Sequence, residues 1–121
     1  MFDNLSIYHN PRCSKSLETL KLLREAGHEP EVILYLETPP TTKELAKLLQ
    51  ALGGAARDLM RKNEAIYKNL RLDRDLFNEN ELIELMVAHP ILIERPIVVA
   101  GTRAALGRPP KRALELLGLT S

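Results

Sequence analysis

Apolar residues alternate at Leu5 and Ile7 ahead of the Asn10-Pro11 break, which predicts a short strand over 5–8 with one buried face. The period then changes. Over 14–26, Leu17, Leu20 and Leu23, with the neighbouring Leu22 and Ala26, recur at helical spacing, and Gly27 is the usual stop signal. Residues 31–36 carry the near-continuous run Val32-Ile33-Leu34-Tyr35-Leu36, which predicts a second strand buried on both faces. The opening unit therefore reads strand, helix, strand, with the two strands parallel under helical cover.

Thr38-Pro39-Pro40 breaks the chain, and Thr41 with Glu44 three residues later forms a capping box for a helix that turns Leu45, Leu48, Leu49 and Leu52 inward until Gly53-Gly54. Shorter helices are predicted over 55–60 and 64–70. Asn78 with Glu81 caps a further helix carrying Leu82, Leu85, Met86 and Val87, which His89-Pro90 ends. Ile97-Val98-Val99 reads as a third strand and 103–106 as a fourth, at the spacing of an antiparallel hairpin. Pro109-Pro110 opens a last helix with Ala113, Leu114 and Leu117 inward and Gly118 at its end. This order predicts an α/β, thioredoxin-like fold: a four-stranded mixed sheet flanked by helices, with a helical insert between strands two and three. No repeat or linker divides the chain, so 1–121 is expected to be a single domain.

Composition narrows the function classes. A net charge of +1, no Trp, two Phe and three Tyr leave neither a basic field nor a stacking surface, which argues against nucleic acid as a partner. No apolar run approaches the roughly 18 residues that span a bilayer, so no membrane role is expected. A lone cysteine makes no internal disulfide, and Met1-Phe2-Asp3-Asn4-Leu5 has no basic and apolar leader, so the expected location is the cytoplasm.

That lone cysteine, Cys13, sits in His9-Asn10-Pro11-Arg12-Cys13-Ser14-Lys15-Ser16, between the first strand and the first helix. A thiol at a strand-to-helix turn meets unpaired N–H groups and the positive end of the helix dipole, which favour thiolate over thiol, and Arg12 and Lys15 act in the same direction. A buried structural cysteine would not need such polar flanks. Cys13 is thus a candidate nucleophile. Ser16 stands where a dithiol enzyme carries its resolving cysteine, so redox turnover has to pass through a mixed disulfide with an outside thiol such as glutathione. Ser16 could instead donate a hydrogen bond to the thiolate. His9, His28 and His89 are too scattered around one cysteine for a metal site, and no phosphate-binding glycine loop is present.

Three arginines lie near element ends: Arg61, Arg95 and Arg108. Arg95 precedes Pro96 at the start of the third strand, the position of the cis proline beside the reactive cysteine in thioredoxin-like folds. Arg108, between Gly107 and Pro109-Pro110, suits an anion corner, since a guanidinium fork and a helix start both favour negative charge.

Ile7-Tyr8-His9-Asn10-Pro11-Arg12-Cys13-Ser14-Lys15-Ser16, Tyr35-Leu36-Glu37-Thr38-Pro39, Leu59-Met60-Arg61-Lys62, His89-Pro90, Glu94-Arg95-Pro96-Ile97-Val98-Val99 and Gly107-Arg108-Pro109-Pro110 together resemble the glutaredoxin-dependent arsenate reductases. The likeness runs in order along nearly the whole chain. It implies that Cys13 is the nucleophile, that Arg61, Arg95 and Arg108 bind the arsenate oxyanion, and that His9 and Ser16 support the thiolate. It further implies glutathione as co-substrate, glutaredoxin as partner, and no bound cofactor. The chain departs from the family at Leu17, where a basic residue is common.

Two other readings keep the fold. A thiol-sensing, RNA-polymerase-binding regulator of the Spx type ordinarily uses a Cys-x-x-Cys switch, which Ser16 removes. A monothiol disulfide reductase would need Cys13 and Pro96 but not Arg61 or Arg108.

Overall fold

The computed structural model describes residues 5–118; the residues before Leu5, read above as part of a leaderless start, lie outside the described residues. The chain forms two compact units, Met1–Thr38 with Arg95–Ser121, and Pro39–Glu94.

The first unit holds the sheet. Strand β1 (Leu5–Tyr8) pairs in parallel with β2 (Glu31–Ile33) and antiparallel with β3 (Ile97–Ala100), and β3 pairs antiparallel with β4 (Arg103–Leu106), giving the order β2-β1-β3-β4. This is the four-stranded mixed sheet of a thioredoxin-like fold. Helix α1 (Ser14–Glu25) links β1 to β2, and the last helix (Lys111–Leu116) packs on α1 and on β4. Period-two alternation puts Leu5 and Ile7 on one face of β1, where they join Val98 and, from the helices, Leu20, Leu23, Ala113, Leu116 and Leu117 in one apolar cluster. Burying side chains of this size contributes about 1.5–3 kcal/mol each, and that burial holds α1 to the sheet.

Two expectations change in this unit. The run 31–36 is a strand only over Glu31–Ile33, and Val32 and Leu36 are exposed. The cause is position in the sheet: β2 is an edge strand, so an apolar run that signals a central strand lies partly open. On α1 the buried stripe is Ser16, Thr19, Leu20 and Leu23, while Leu17 is 49% exposed, Leu22 half-buried and Ala26 exposed. Two polar residues occupy the inner face because each has an internal hydrogen-bond partner, which displaces the stripe from the one that apolarity alone traces.

The second unit is helical. Its helices are α2 (Thr42–Leu52), α3 (Ala56–Leu59), α4 (Ala65–Asn69) and α5 (Glu79–Ala88), followed by a 3₁₀ turn at Pro90–Leu92; the final helix of the first unit is then α6. Both expected capping boxes form. Glu44 N–H donates to Thr41 Oγ1 at 3.1 Å while Thr41 N–H donates to Glu44 at 2.9 Å, and Asn78 and Glu81 exchange the same pair at 2.8 and 2.9 Å. Leu45, Leu48 and Leu49 of α2 are buried, and α5 packs on α2 and α3 through Leu82, Ile83 and Met86. Leu52, expected inward, is half-buried, as are Leu85 and Val87 of α5 and Leu114 of α6, where Leu116 takes the inner position that Leu114 was expected to hold. Helix α3 stops early because Met60 turns extended and bridges to Ile93, with Arg61 N–H donating to Leu92 C=O at 2.7 Å and Glu94 N–H to Leu59 C=O at 2.8 Å.

Candidate active site

The β1–α1 turn is built around Cys13. Asn10 C=O accepts from Cys13 N–H at 3.0 Å, and Asn10 Oδ1 accepts from Arg12 N–H at 3.0 Å, an Asx-type turn that aims the backbone into the helix. Cys13 itself is the N-cap residue of α1, with extended backbone (φ −102°, ψ 122°), and its C=O accepts from Leu17 N–H. Its sulfur takes no capping hydrogen bond, and the first turn of α1 holds no acidic residue. The helix therefore acts on the sulfur through its dipole, unopposed by a local negative charge. Cys13 is 8% exposed while Pro11, Arg12, Ser14 and Lys15 around it are exposed, so the polar flanks face solvent and the thiol lies just beneath them.

Arg108 comes to this sulfur from the far end of the chain. Its Nη2 lies 3.7 Å from Cys13 Sγ, and its Nε donates to Arg95 C=O at 2.7 Å, which fixes the plane of the guanidinium. This sets a guanidinium donor directly against the sulfur. Arg95 serves Arg108 through its backbone carbonyl, at the start of β3. The Arg95–Pro96 and Arg108–Pro109 peptide bonds are both cis.

His9 and Ser16 form a buried pair at 2.6 Å through Nδ1 and Oγ, and Ser16 Oγ also accepts from Asn10 N–H at 3.0 Å. The sequence left Ser16 open between a hydrogen bond to the thiolate and an ordinary serine at a helix start. Among the described residues its hydroxyl pairs with His9 and Asn10, so it ties both ends of the loop that carries Cys13. Burial, seconded by the positive charge of Arg24, pushes the His9 pKa below its ordinary value and keeps the ring neutral. His9 therefore contributes shape and hydrogen bonding rather than positive charge.

Arg61 belongs to the second unit, where it is half-buried between two carboxylates. Its Nε donates to Glu64 at 3.1 Å and its Nη1 to Glu94 at 2.6 Å. Burial works against the guanidinium charge, but the hydrogen bonds and charges of Glu64 and Glu94 outweigh it and raise the pKa further. The bridge between Met60 and Ile93 brings Arg61 and Glu94 side by side. Sequence reasoning gave Glu64 and Glu94 no role; the signal available was Glu94 beside Arg95 and Glu64 three residues after Arg61. It also gave none to Thr19 and Gly107, which meet below. Among the described residues no group of three or more His, Cys, Asp or Glu side chains could hold a metal ion, and no helix is long and apolar enough to cross a membrane.

A sheet of this order with a single cysteine at the first helix start and an arginine against its sulfur defines a thioredoxin-like thiol protein. The ArsC family pattern matches residues 8–116, and the chain belongs to the ArsC family. It is 55% identical over 119 residues to the protein called YfgD of Escherichia coli (strain K12), covering 98% of this chain and 100% of that one. It is 49% identical over 114 residues to an arsenate reductase of Escherichia coli, covering 94% of this chain and 81% of the longer relative. The solved structure of an arsenate reductase from Vibrio cholerae is similar at a TM-score of 0.90 and 50% identity, covering 93% of this chain and 96% of that one.

Proposed function

We propose that the protein reduces arsenate to arsenite with glutathione as the reducing thiol. The observation that carries the reading is the Arg108 guanidinium 3.7 Å from Cys13 Sγ, which provides for both a thiolate and an oxyanion beside it. The names of relatives near 50% identity support the substrate.

The Cys13 thiolate attacks arsenic(V), an As–O bond breaks, and the oxygen leaves as water after protonation, giving a Cys13 thio-arsenate adduct. Arg108 and Arg95 bind and spread the negative charge of the oxyanion, for which planar donor forks are suited. A glutathione thiolate then forms a sulfur–sulfur bond with Cys13 as the S–As bond breaks and its electron pair stays on arsenic. The two sulfurs are oxidised by two electrons in total, arsenic falls from +5 to +3, and arsenite leaves. Glutaredoxin takes the glutathionyl group and returns the Cys13 thiol. Arg61 enters this reading as the third arginine of the motif set; to serve an anion it has to exchange one of its two carboxylates.

That carboxylate pairing favours one second reading, a monothiol disulfide reductase with no oxyanion specificity. The test is NADPH oxidation coupled through glutathione reductase, glutathione and glutaredoxin. Consumption that requires arsenate together with all three supports the first reading; a protein that reduces a glutathione mixed disulfide and ignores arsenate overturns it in favour of the second.

A further inference from the structure

Gly107 precedes Arg108 and is buried, and its place between three side-chain atoms leaves no room for a methyl group. A Cβ added there would lie 2.7 Å from Thr19 Oγ1, 2.8 Å from Pro96 Cγ and 3.1 Å from Thr19 Cγ2. Two of these separations are shorter than real Cβ contacts sustain, so something has to move.

Neither neighbour yields cheaply. Thr19 is fully buried in α1, and its hydroxyl donates to Lys15 C=O at 2.7 Å, which holds its rotamer. Pro96 is buried, its ring is covalently fixed, and its C=O accepts from Gly107 N–H at 2.9 Å, extending the β3–β4 ladder one step past the Ile97–Leu106 pair. The next residue along each strand makes the next link, Arg108 Nε to Arg95 C=O. The 107–108 segment is thus laced to 95–96 on one side and seated against α1, the helix capped by Cys13, on the other.

We infer that Gly107 and Thr19 are positioning residues: the close approach that a glycine permits at Thr19 sets how near the Arg108 guanidinium stands to the Cys13 sulfur. The contact is at 3.7 Å, and a displacement of about 1 Å takes a guanidinium out of reach of the sulfur. The inference rests on Cys13 as the reacting thiol of the proposed function, and its test needs no arsenate.

The experiment measures alkylation of Cys13 by neutral iodoacetamide and by anionic iodoacetate at one pH. A guanidinium beside the sulfur speeds the anionic reagent relative to the neutral one. In Gly107→Ala the iodoacetate-to-iodoacetamide ratio falls severalfold, toward that of Arg108→Ala. Adding Thr19→Ala, which removes two of the three close atoms, recovers part of the ratio. A folded Gly107→Ala protein with the wild-type ratio overturns the inference, as does a double variant with no recovery. Should Gly107→Ala fail to fold alone, the double variant is compared with Thr19→Ala: Pro96 Cγ still crowds the added methyl, so the ratio falls, and equal ratios overturn the inference. Failure of arsenate turnover in the wild type would reject the proposed function and leave these alkylation results standing.

Discussion

Arg108 Nη2 stands 3.7 Å from Cys13 Sγ although 95 residues of chain separate the two. The contact depends on the sheet: β1 and β3 are neighbours, β4 pairs with β3, and so the chain ends that follow β1 and β4 meet at one end of the sheet. With α1 starting at Cys13, the helix dipole and the guanidinium act together on one sulfur.

Cys13→Ser should abolish turnover, because a serine alkoxide is not populated near neutral pH and no second thiol is present to substitute. Coupled NADPH oxidation measures it. Activity persisting at a substantial fraction of wild type would exclude the covalent pathway.

Arg108→Ala should slow alkylation by anionic iodoacetate relative to neutral iodoacetamide by roughly threefold to tenfold, since the guanidinium 3.7 Å from the sulfur is removed. Arg108→Lys should recover little of this. A lysine has no Nε–H to bond Arg95 C=O while a second nitrogen faces the sulfur. Equal ratios in wild type and Arg108→Ala would show that the guanidinium does not act on the thiol.

His9 carries a pH dependence whose sign follows from burial. Its folded pKa lies below the unfolded value near 6.5, so between the two the unfolded chain binds the proton and the folded one does not. Its contribution to stability is therefore complete above about 6.5 and is lost as pH falls through that value toward the folded pKa. Urea unfolding of wild type and His9→Gln at several pH values should show a steeper loss on acidification for wild type. Parallel curves would show that His9 is not held neutral by the fold.

Arg61→Met removes a guanidinium from between Glu64 and Glu94, leaving two half-buried carboxylates to repel each other. The expected cost is about 1–3 kcal/mol, read as a lowered urea midpoint. Adding Glu94→Gln should restore part of that stability, and a single variant as stable as wild type would show that the cluster is solvated and idle.

The elements themselves were legible in the chain because their signals are local. Both capping boxes, the strand of Leu5 and Ile7, and the hairpin after Ile97 need only neighbours a few residues away. Burial was less legible. On α1 apolarity pointed to Leu17, whereas the inner face carries Ser16 and Thr19, whose partners His9 Nδ1 and Lys15 C=O satisfy them inside. The run at Val32 looked central and proved to be an edge, since strand order is set by long-range pairing.

The same division holds for the site. The lone thiol, its helix-start position and the candidate arginines follow from residue type and spacing, which are properties of the one-dimensional chain. The tertiary structure alone decided that Arg108 touches the sulfur, that Ser16 bonds to His9 and Asn10, that Arg61 is shared by two carboxylates, and that Gly107 has no space for a side chain. The Arg108–Cys13, Arg61–Glu94 and Gly107–Thr19 distances join groups far apart in sequence, fixed by sheet order and close packing, for which the order of residues along the chain carries no local signal; the nearer Ser16–His9 and Arg61–Glu64 pairs depend on how the folded turns place their side chains.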